Sequence, residues 1–146
     1  MALGARKDPY LAFQFLVEIE GLVVAGFNEV TGLQAEVEVQ DYREGGMNEY
    51  LHRLPGPVRY PSHLILKYGL ADQNTLRDWH QDVCRGLIRR KSGAIILLDS
   101  AGEEKFRWNF FGAYPVRWSG PELRANTAAV AMETLELAHN GLSKSK

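Results

Sequence analysis

The chain has 146 residues, 45% hydrophobic and 24% charged, with a formal net charge of -1. That suits one domain (residues 1–146) able to bury a core without a disulfide or a metal. It offers no cationic excess for nucleic acid or an anionic membrane. The lone cysteine, Cys84, excludes an internal disulfide framework and points to synthesis in a reducing compartment.

Residues 1–9 read as a polar, flexible arm ending at Asp8-Pro9. Arg6 and Lys7 are followed by Asp8, Gln14, Glu18 and Glu20 rather than an apolar segment, so no secretory signal is expected. No stretch approaches the ~20 apolar residues of a membrane-spanning helix. Phe13, Phe15, Val17 and Ile19 then alternate with Gln14, Glu18 and Glu20, with Leu16 out of pattern. Period two predicts a half-buried strand. Glu20-Gly21 makes a tight turn into a returning strand, Leu22 to Phe27, and Thr31-Gly32 breaks the chain again. Ala35, Val37 and Val39 alternate with Glu36, Glu38 and Gln40 in a third strand.

From Tyr42 to Pro61 the periodicity is lost among Gly45, Gly46, Pro55, Gly56, Pro57 and Pro61. A loop of about twenty residues is uncommon in a compact domain and is generally functional or disordered. This one carries Tyr42, Met47, Tyr50, Leu51, Leu54, Val58 and Tyr60, which marks a segment that docks onto something. Leu64, Leu66 and Tyr68 mark the next strand. Asp72 or Asn74 can cap a helix over 73–88, whose stripe is Leu76, Trp79, Val83 and Leu87, with Gly86 weakening its last turn. Ala94 to Leu98 reads as a doubly buried strand. Asp99 to Gly102 turns it into Phe106, Trp108 and Phe110, and Tyr114, Val116 and Trp118 alternate again.

The segment 127–142 fits either a helix (Ala128, Ala131, Met132, Leu135, Ala138, stopped at Asn140-Gly141) or a strand, and propensity favours the helix. About eight strands around one helix, without βαβ alternation, predict a mainly β, α+β fold: an antiparallel barrel or sandwich with one flanking helix.

No catalytic constellation emerges. His52, His63, His80 and His139 lack metal-ligand spacing. Cys84 has no activating base and reads as a small buried apolar residue. Glu36 and Glu38 are better explained as an exposed sheet face than as an acid–base pair. Gly45-Gly46 lacks the setting of a phosphate loop. Arg89, Arg90 and Lys91 follow the helix, where they offset its C-terminal dipole. The expectation is a non-enzymatic chain with no cofactor and no metal.

A resemblance adds what periodicity leaves open. The run Gly32-Leu33-Gln34-Ala35-Glu36-Val37-Glu38-Val39-Gln40-Asp41-Tyr42-Arg43-Glu44-Gly45-Gly46, then Leu54-Pro55-Gly56-Pro57 and Tyr60-Pro61, resembles the tail-tube family of contractile phages and extracellular contractile injection systems. It continues through Leu66-Lys67-Tyr68-Gly69-Leu70, Trp79-His80, Arg90-Lys91-Ser92 and Glu133 to Gly141. The resemblance implies a tube-protein fold, similar to the type VI haemolysin-coregulated ring, in which Glu133 to His139 is a strand despite its propensity.

It further implies a homo-oligomer: stacked six-membered rings inside a sheath, either main tube or tube-initiator ring. Other tube or baseplate hub proteins and sheath proteins would be its partners, and the lumen would hold cargo. Such a chain would assemble in the bacterial cytoplasm and end within a phage tail or injection particle, without binding specific nucleic acid or membrane. On this reading 42–61 is an intersubunit arm, carried by Tyr42, Arg43, Glu44, Gly45, Gly46, Met47, Tyr50, Leu51, Leu54, Pro55, Gly56 and Pro57. Glu18, Glu36 and Glu38 are candidates for the lumen face, the sheath side being the alternative. The alternative is a monomeric small β-barrel that binds a ligand on its aromatic face.

Overall fold

Hydrophobic alternation translates into ten strands and one helix among the described residues, which are 14–24, 27–42, 52–69, 75–126, 128 and 130–145 of a computed structural model. In chain order these are β1 (Phe15–Ile19), β2 (Leu22–Val24), β3 (Phe27–Thr31), β4 (Glu36–Tyr42), β5 (His52–Arg59), β6 (Leu64–Gly69), α1 (Thr75–Cys84), β7 (Lys91–Leu98), β8 (Glu104–Ser119), β9 (Met132–Ala138) and β10 (Gly141–Ser145). All pairings are antiparallel. One sheet runs β2-β1-β7-β8-β9-β6-β3, with β10 also on β8, and β4-β5 forms a separate pair.

The large sheet folds over along β8. Its first half pairs with β7 on one flank and β10 on the other; its second half pairs with β9. The β9 and β10 registers against β8 run on from one another, Ala138 opposite Tyr114 and Gly141 opposite Phe111, so the two act as one long strand broken at His139-Asn140. Gly112 sits at that break with φ 59°, and a Cβ there would strike the Asn140 amide. A register shift between Pro115 and Arg117 adds twist. Strands that change partners through such irregularities make the corners of rolled sheets. The roll brings β1 into contact with β3.

The core lies inside the roll. Val17, Ile95, Phe110 and Ala113 come from one half, Leu64, Leu66, Leu135 and Leu137 from the other, and Leu76 and Trp79 from α1. Burial at every second position of β9 (Glu133, Leu135, Leu137) shows why it is a strand: a helix would carry those side chains around a cylinder. Trp79 is buried and donates its indole N–H to the Arg89 carbonyl at 2.8 Å, which ties the helix to the chain leading into β7.

Several expectations need correction. The segment 42–61 is not a structureless loop: β4 extends through Tyr42, and Leu54, Pro55, Gly56 and Pro57 lie within β5. Two prolines in one strand had hidden it. Proline is excluded from central strands but tolerated at an edge, and β5 is an edge strand. The strand placed at Leu22 to Phe27 is two, since Phe27 opens β3. The stretches around Phe106 and Trp118 form one 16-residue strand. Past its corner the inward face passes to Ala113 and Pro115, which leaves Val116 and Trp118 partly exposed.

Helix α1 is shorter than 73–88. It ends at Cys84, followed by a turn in which Gly86 has φ 88°, and Leu87 is exposed. Cys84 itself is exposed rather than buried. Beyond Asn140 the chain continues into β10 instead of stopping. The 1–9 arm, the caps Asp72 and Asn74, and Arg43, Glu44, Gly45, Gly46, Met47, Tyr50 and Leu51 lie outside the described residues.

Candidate functional site

The β4–β5 hairpin is a place where the fold leaves a group of apolar side chains uncovered. In the register Val37 opposes Val58, and Val39 opposes Pro55, so these four side chains share one face. Val37 is 49% exposed, Val39 58% and Val58 55%, and Leu54, opposite Gln40, is 48% exposed. Among the described residues no other strand pairs with the hairpin. The other face carries Leu54 among polar side chains, where Arg59 Nη2 lies 3.3 Å from Glu36 Oε1, both exposed. Gly56 permits the close approach of the strands at their register shift, since a Cβ there would lie 2.8 Å from the Glu38 carbonyl. The sheet edge at β2 is similar in character, with Leu22 and Val23 exposed. Unpaired edges and exposed apolar groups are templates for association.

The three lumen candidates are not brought together. Glu36 and Glu38 are on the hairpin. Glu18 is on β1, where its carboxylate takes a hydrogen bond from Arg107 Nη1 at 3.1 Å. Arg107 also donates through Nε to Glu104 at 2.6 Å, and these bonds, Glu104's first, raise its pKa above the usual guanidinium value.

A buried polar cluster under α1 escaped sequence reading. Glu133 is 2% exposed. Its Oε1 accepts from Arg77 Nη2 of α1 at 2.5 Å and its Oε2 from Trp118 Nε1 of β8 at 3.2 Å. Burial by itself would raise the carboxyl pKa; the hydrogen bonds from Trp118 and Arg77 outweigh it and hold the group below its ordinary value. The Tyr68 hydroxyl is buried beside it without a hydrogen bond of normal geometry, and burial first, then the Glu133 carboxylate, drive its pKa far upward. The signal was present: Glu133 shares the inward parity of Leu135 and Leu137. The cluster fastens the helix to the sheet. Among the described residues no group of three or more His, Cys, Asp or Glu is placed to hold a metal ion.

With this geometry in hand, comparisons decide the family. Residues 11–143 match the family described as T4-like virus tail tube protein gp19. The chain belongs to that tail-tube family. Comparison with curated protein sequences gives no match. Among solved structures, a chain of the anti-feeding prophage baseplate, in a six-fold symmetrised structure, is 26% identical with TM-score 0.84, covering 96% of this chain and 97% of that one. A chain of the sheath/tube terminator of the PVC extracellular contractile injection system is 24% identical with TM-score 0.87, covering 97% and 100%. Hcp1 of Flavobacterium johnsoniae shares the fold at 14% identity and TM-score 0.56, covering 90% and 94%. The rolled antiparallel sheet with one flanking helix is thus a tail-tube fold, and this tail-tube protein is a structural tube subunit.

Proposed function

We propose that the chain works only as an assembly: copies close into six-membered rings, and the rings stack into a hollow tube or its initiating platform. The observation that carries this is the β4–β5 hairpin, which leaves an apolar face exposed and, among the described residues, pairs with no other strand of its own subunit. Burying what remains exposed of Val37, Val39, Val58 and Leu54 on neighbouring copies is worth roughly 1 kcal/mol apiece. Multiplied around a ring, such contacts are mutually reinforcing, because a heterologous contact that closes satisfies every subunit.

The six-fold count takes support from the symmetry of the baseplate structure that holds the 26%-identical chain. The same relative, and the tube terminator, make hub, tube and sheath proteins the natural partners. The chain's task is mechanical and not enzymatic: it lines a channel and transmits load, and Glu18, Glu36 and Glu38 remain candidates for charge facing that channel. The hairpin, together with the residues from Arg43 to Leu51 that link its two strands in sequence, is the intersubunit arm.

Replacing residues 36–59 by a short Gly-Ser turn tests this. Glu36 and Arg59 are paired neighbours, so the ends are close enough to join. The expected product is a folded monomer that forms no annuli or tubes in negative-stain images at concentrations where the unaltered chain does. Tubes built by the shortened chain would refute the arm, and an unaltered chain that stays monomeric at every concentration would favour a lone ligand-binding barrel.

A further inference from the structure

The hairpin joins the rolled sheet through two short connectors, residues 32–35 and 60–63. Such an arm ought to swing freely. The structure instead shows the connectors fastened to each other and to the end of β9. Gly32 has φ 97°, and a Cβ on it would overlap the His63 carbonyl, so the two backbones pass in direct contact. The Gln34 amide donates to the Gly32 carbonyl at 2.8 Å, a three-residue turn that stiffens the first connector. Ser62 Oγ donates to Gln34 Oε1 at 2.5 Å and links first connector to second.

On the second connector, the Tyr60 ring meets His139 edge to face, centroids 5.5 Å apart, and lies within 3.5 Å of where a Gly141 Cβ would be. Two residues on from Pro61, His63 Nδ1 lies 3.2 Å from Glu136 Oε1. His139 and Glu136 thus hold the root of the arm from the β9 end, the point where the β9–β10 run breaks against β8.

We propose that Gln34, Tyr60, Ser62 and His63, closed against Glu136 and His139 with Gly32 as the contact point, form a joint that sets the hairpin's angle before any neighbour arrives. This rests on the arm reading above and adds positioning residues to it. None of the six side chains belongs to the apolar face of the hairpin, and the hydrogen bonds among them are solvent-accessible, so they contribute little to the stability of the subunit. Their effect is on preorganisation: an arm already at its docking angle does not lose that freedom on binding, whereas a loosened arm must.

The experiment attaches nitroxide labels to the native exposed Cys84 and to Gln40→Cys on β4, and measures the distance distribution in dilute, spin-diluted protein. The reference chain should give one narrow distribution. The double variant Gln34→Ala, Tyr60→Leu should broaden it, raise the critical concentration for assembly by about tenfold or more, and leave the thermal midpoint of the monomer unchanged. Tyr60→Phe, which keeps the ring on His139, should retain the narrow distribution. A distribution as narrow in the double variant as in the reference would overturn the joint. So would an assembly defect that merely tracks a fall in thermal midpoint. If the unaltered chain never assembles, the tube reading fails, and the distance distributions alone decide for or against the joint.

Discussion

Arg77 and Glu133 offer a sharp test of how the helix is held. Arg77→Met removes the cation that pairs with Glu133 and leaves the carboxylate buried. Breaking a fully buried pair from one side costs about 3–5 kcal/mol. Here the Arg77 side chain is 31% exposed and Trp118 still donates to the carboxylate, so the expected loss is about 2–3 kcal/mol. For a chain of this size that lowers the unfolding midpoint by roughly 5–10 °C.

The double variant Arg77→Met, Glu133→Leu removes the stranded charge along with the cation. Replacing a buried pair by apolar groups of similar volume is often neutral or stabilising. Trp118 loses its acceptor, but the residue is 37% exposed as a whole. The double variant should therefore fall within about 1 kcal/mol of the parent. The assay is thermal unfolding by circular dichroism, below the assembly concentration, at neutral pH and at about pH 4.

In the parent the Glu133 pKa is depressed, so its contribution is present above the unfolded carboxyl pKa and disappears as pH falls through the lower folded value. Without Arg77 the opposition to burial weakens, the carboxyl takes a proton sooner, and the gap between parent and Arg77→Met should narrow in acid. If Arg77→Met melts with the parent at neutral pH, or the double variant is as unstable as the sum of its parts, the cluster does not fasten the helix.

Gly93→Ala should be poorly tolerated although it adds one methyl group: the new Cβ would overlap the Glu18 carbonyl and the Phe110 ring at once. Overpacking of this kind costs about 1–3 kcal/mol, readable as a lower midpoint, and an unchanged melt would show that β1 can shift away from β7. His139 predicts an acid-side loss of stability. Burial lowers its pKa from 6.5, with the nearby His63 adding to the effect. The unfolded chain therefore binds a proton that the folded chain resists, and stability should decline as pH falls from about 6.5 toward the lower folded value. His139→Phe, which keeps the ring against Tyr60, should flatten that part of the profile; an unaltered slope would assign it to other groups.

Strand periodicity was legible wherever one face met the core. Val17 and Ile19, Leu64 and Leu66, and Leu135 and Leu137 each announce a half-buried strand, and Trp79 marks the inner side of α1. The failures share a cause. Pro55 and Pro57 look like loop residues because the local rule against proline is conditional on a strand's being central, and centrality is a tertiary fact. The stretches around Phe106 and Trp118 form one strand because a corner in a rolled sheet uses residues, here Gly112 and Pro115, of the kind that also end strands. For 132–138, alanine and leucine propensity favours helix, but the strand expected from the family resemblance is what forms, because burial between β6 and β8 overrides propensity. For Glu133 the sequence shows the inward parity but not the Arg77 and Trp118 partners that make a buried carboxylate tolerable there. Cys84 erred the other way: placed on a helix near an apolar stripe, it lies where the helix ends and the stripe turns away.

The separation between the two apolar surfaces is what allows one chain to be both a stable subunit and an assembling one. Phe110, Leu64, Leu66, Leu135 and Leu137 are wholly buried within the roll, so the core is complete without the hairpin. Among the described residues, Val37, Val39, Leu54 and Val58 sit on a pair of strands that no other strand extends, so on the proposed reading the arm gains its burial from neighbouring copies. Had those valines faced the roll, the energy of assembly would already be spent in folding; had the core leaned on the hairpin, a free subunit would be unstable before it met a neighbour. Pro55 and Pro57 then take on a second meaning. Proline withholds backbone donors from a free strand edge, which discourages uncontrolled strand addition, while leaving the apolar face of the hairpin open. Association through a face has a defined geometry, whereas association along an open edge can continue indefinitely with any strand. The prolines that obscured β5 in the sequence are therefore consistent with an arm whose contacts are meant to be made by side chains, at an angle set at its root.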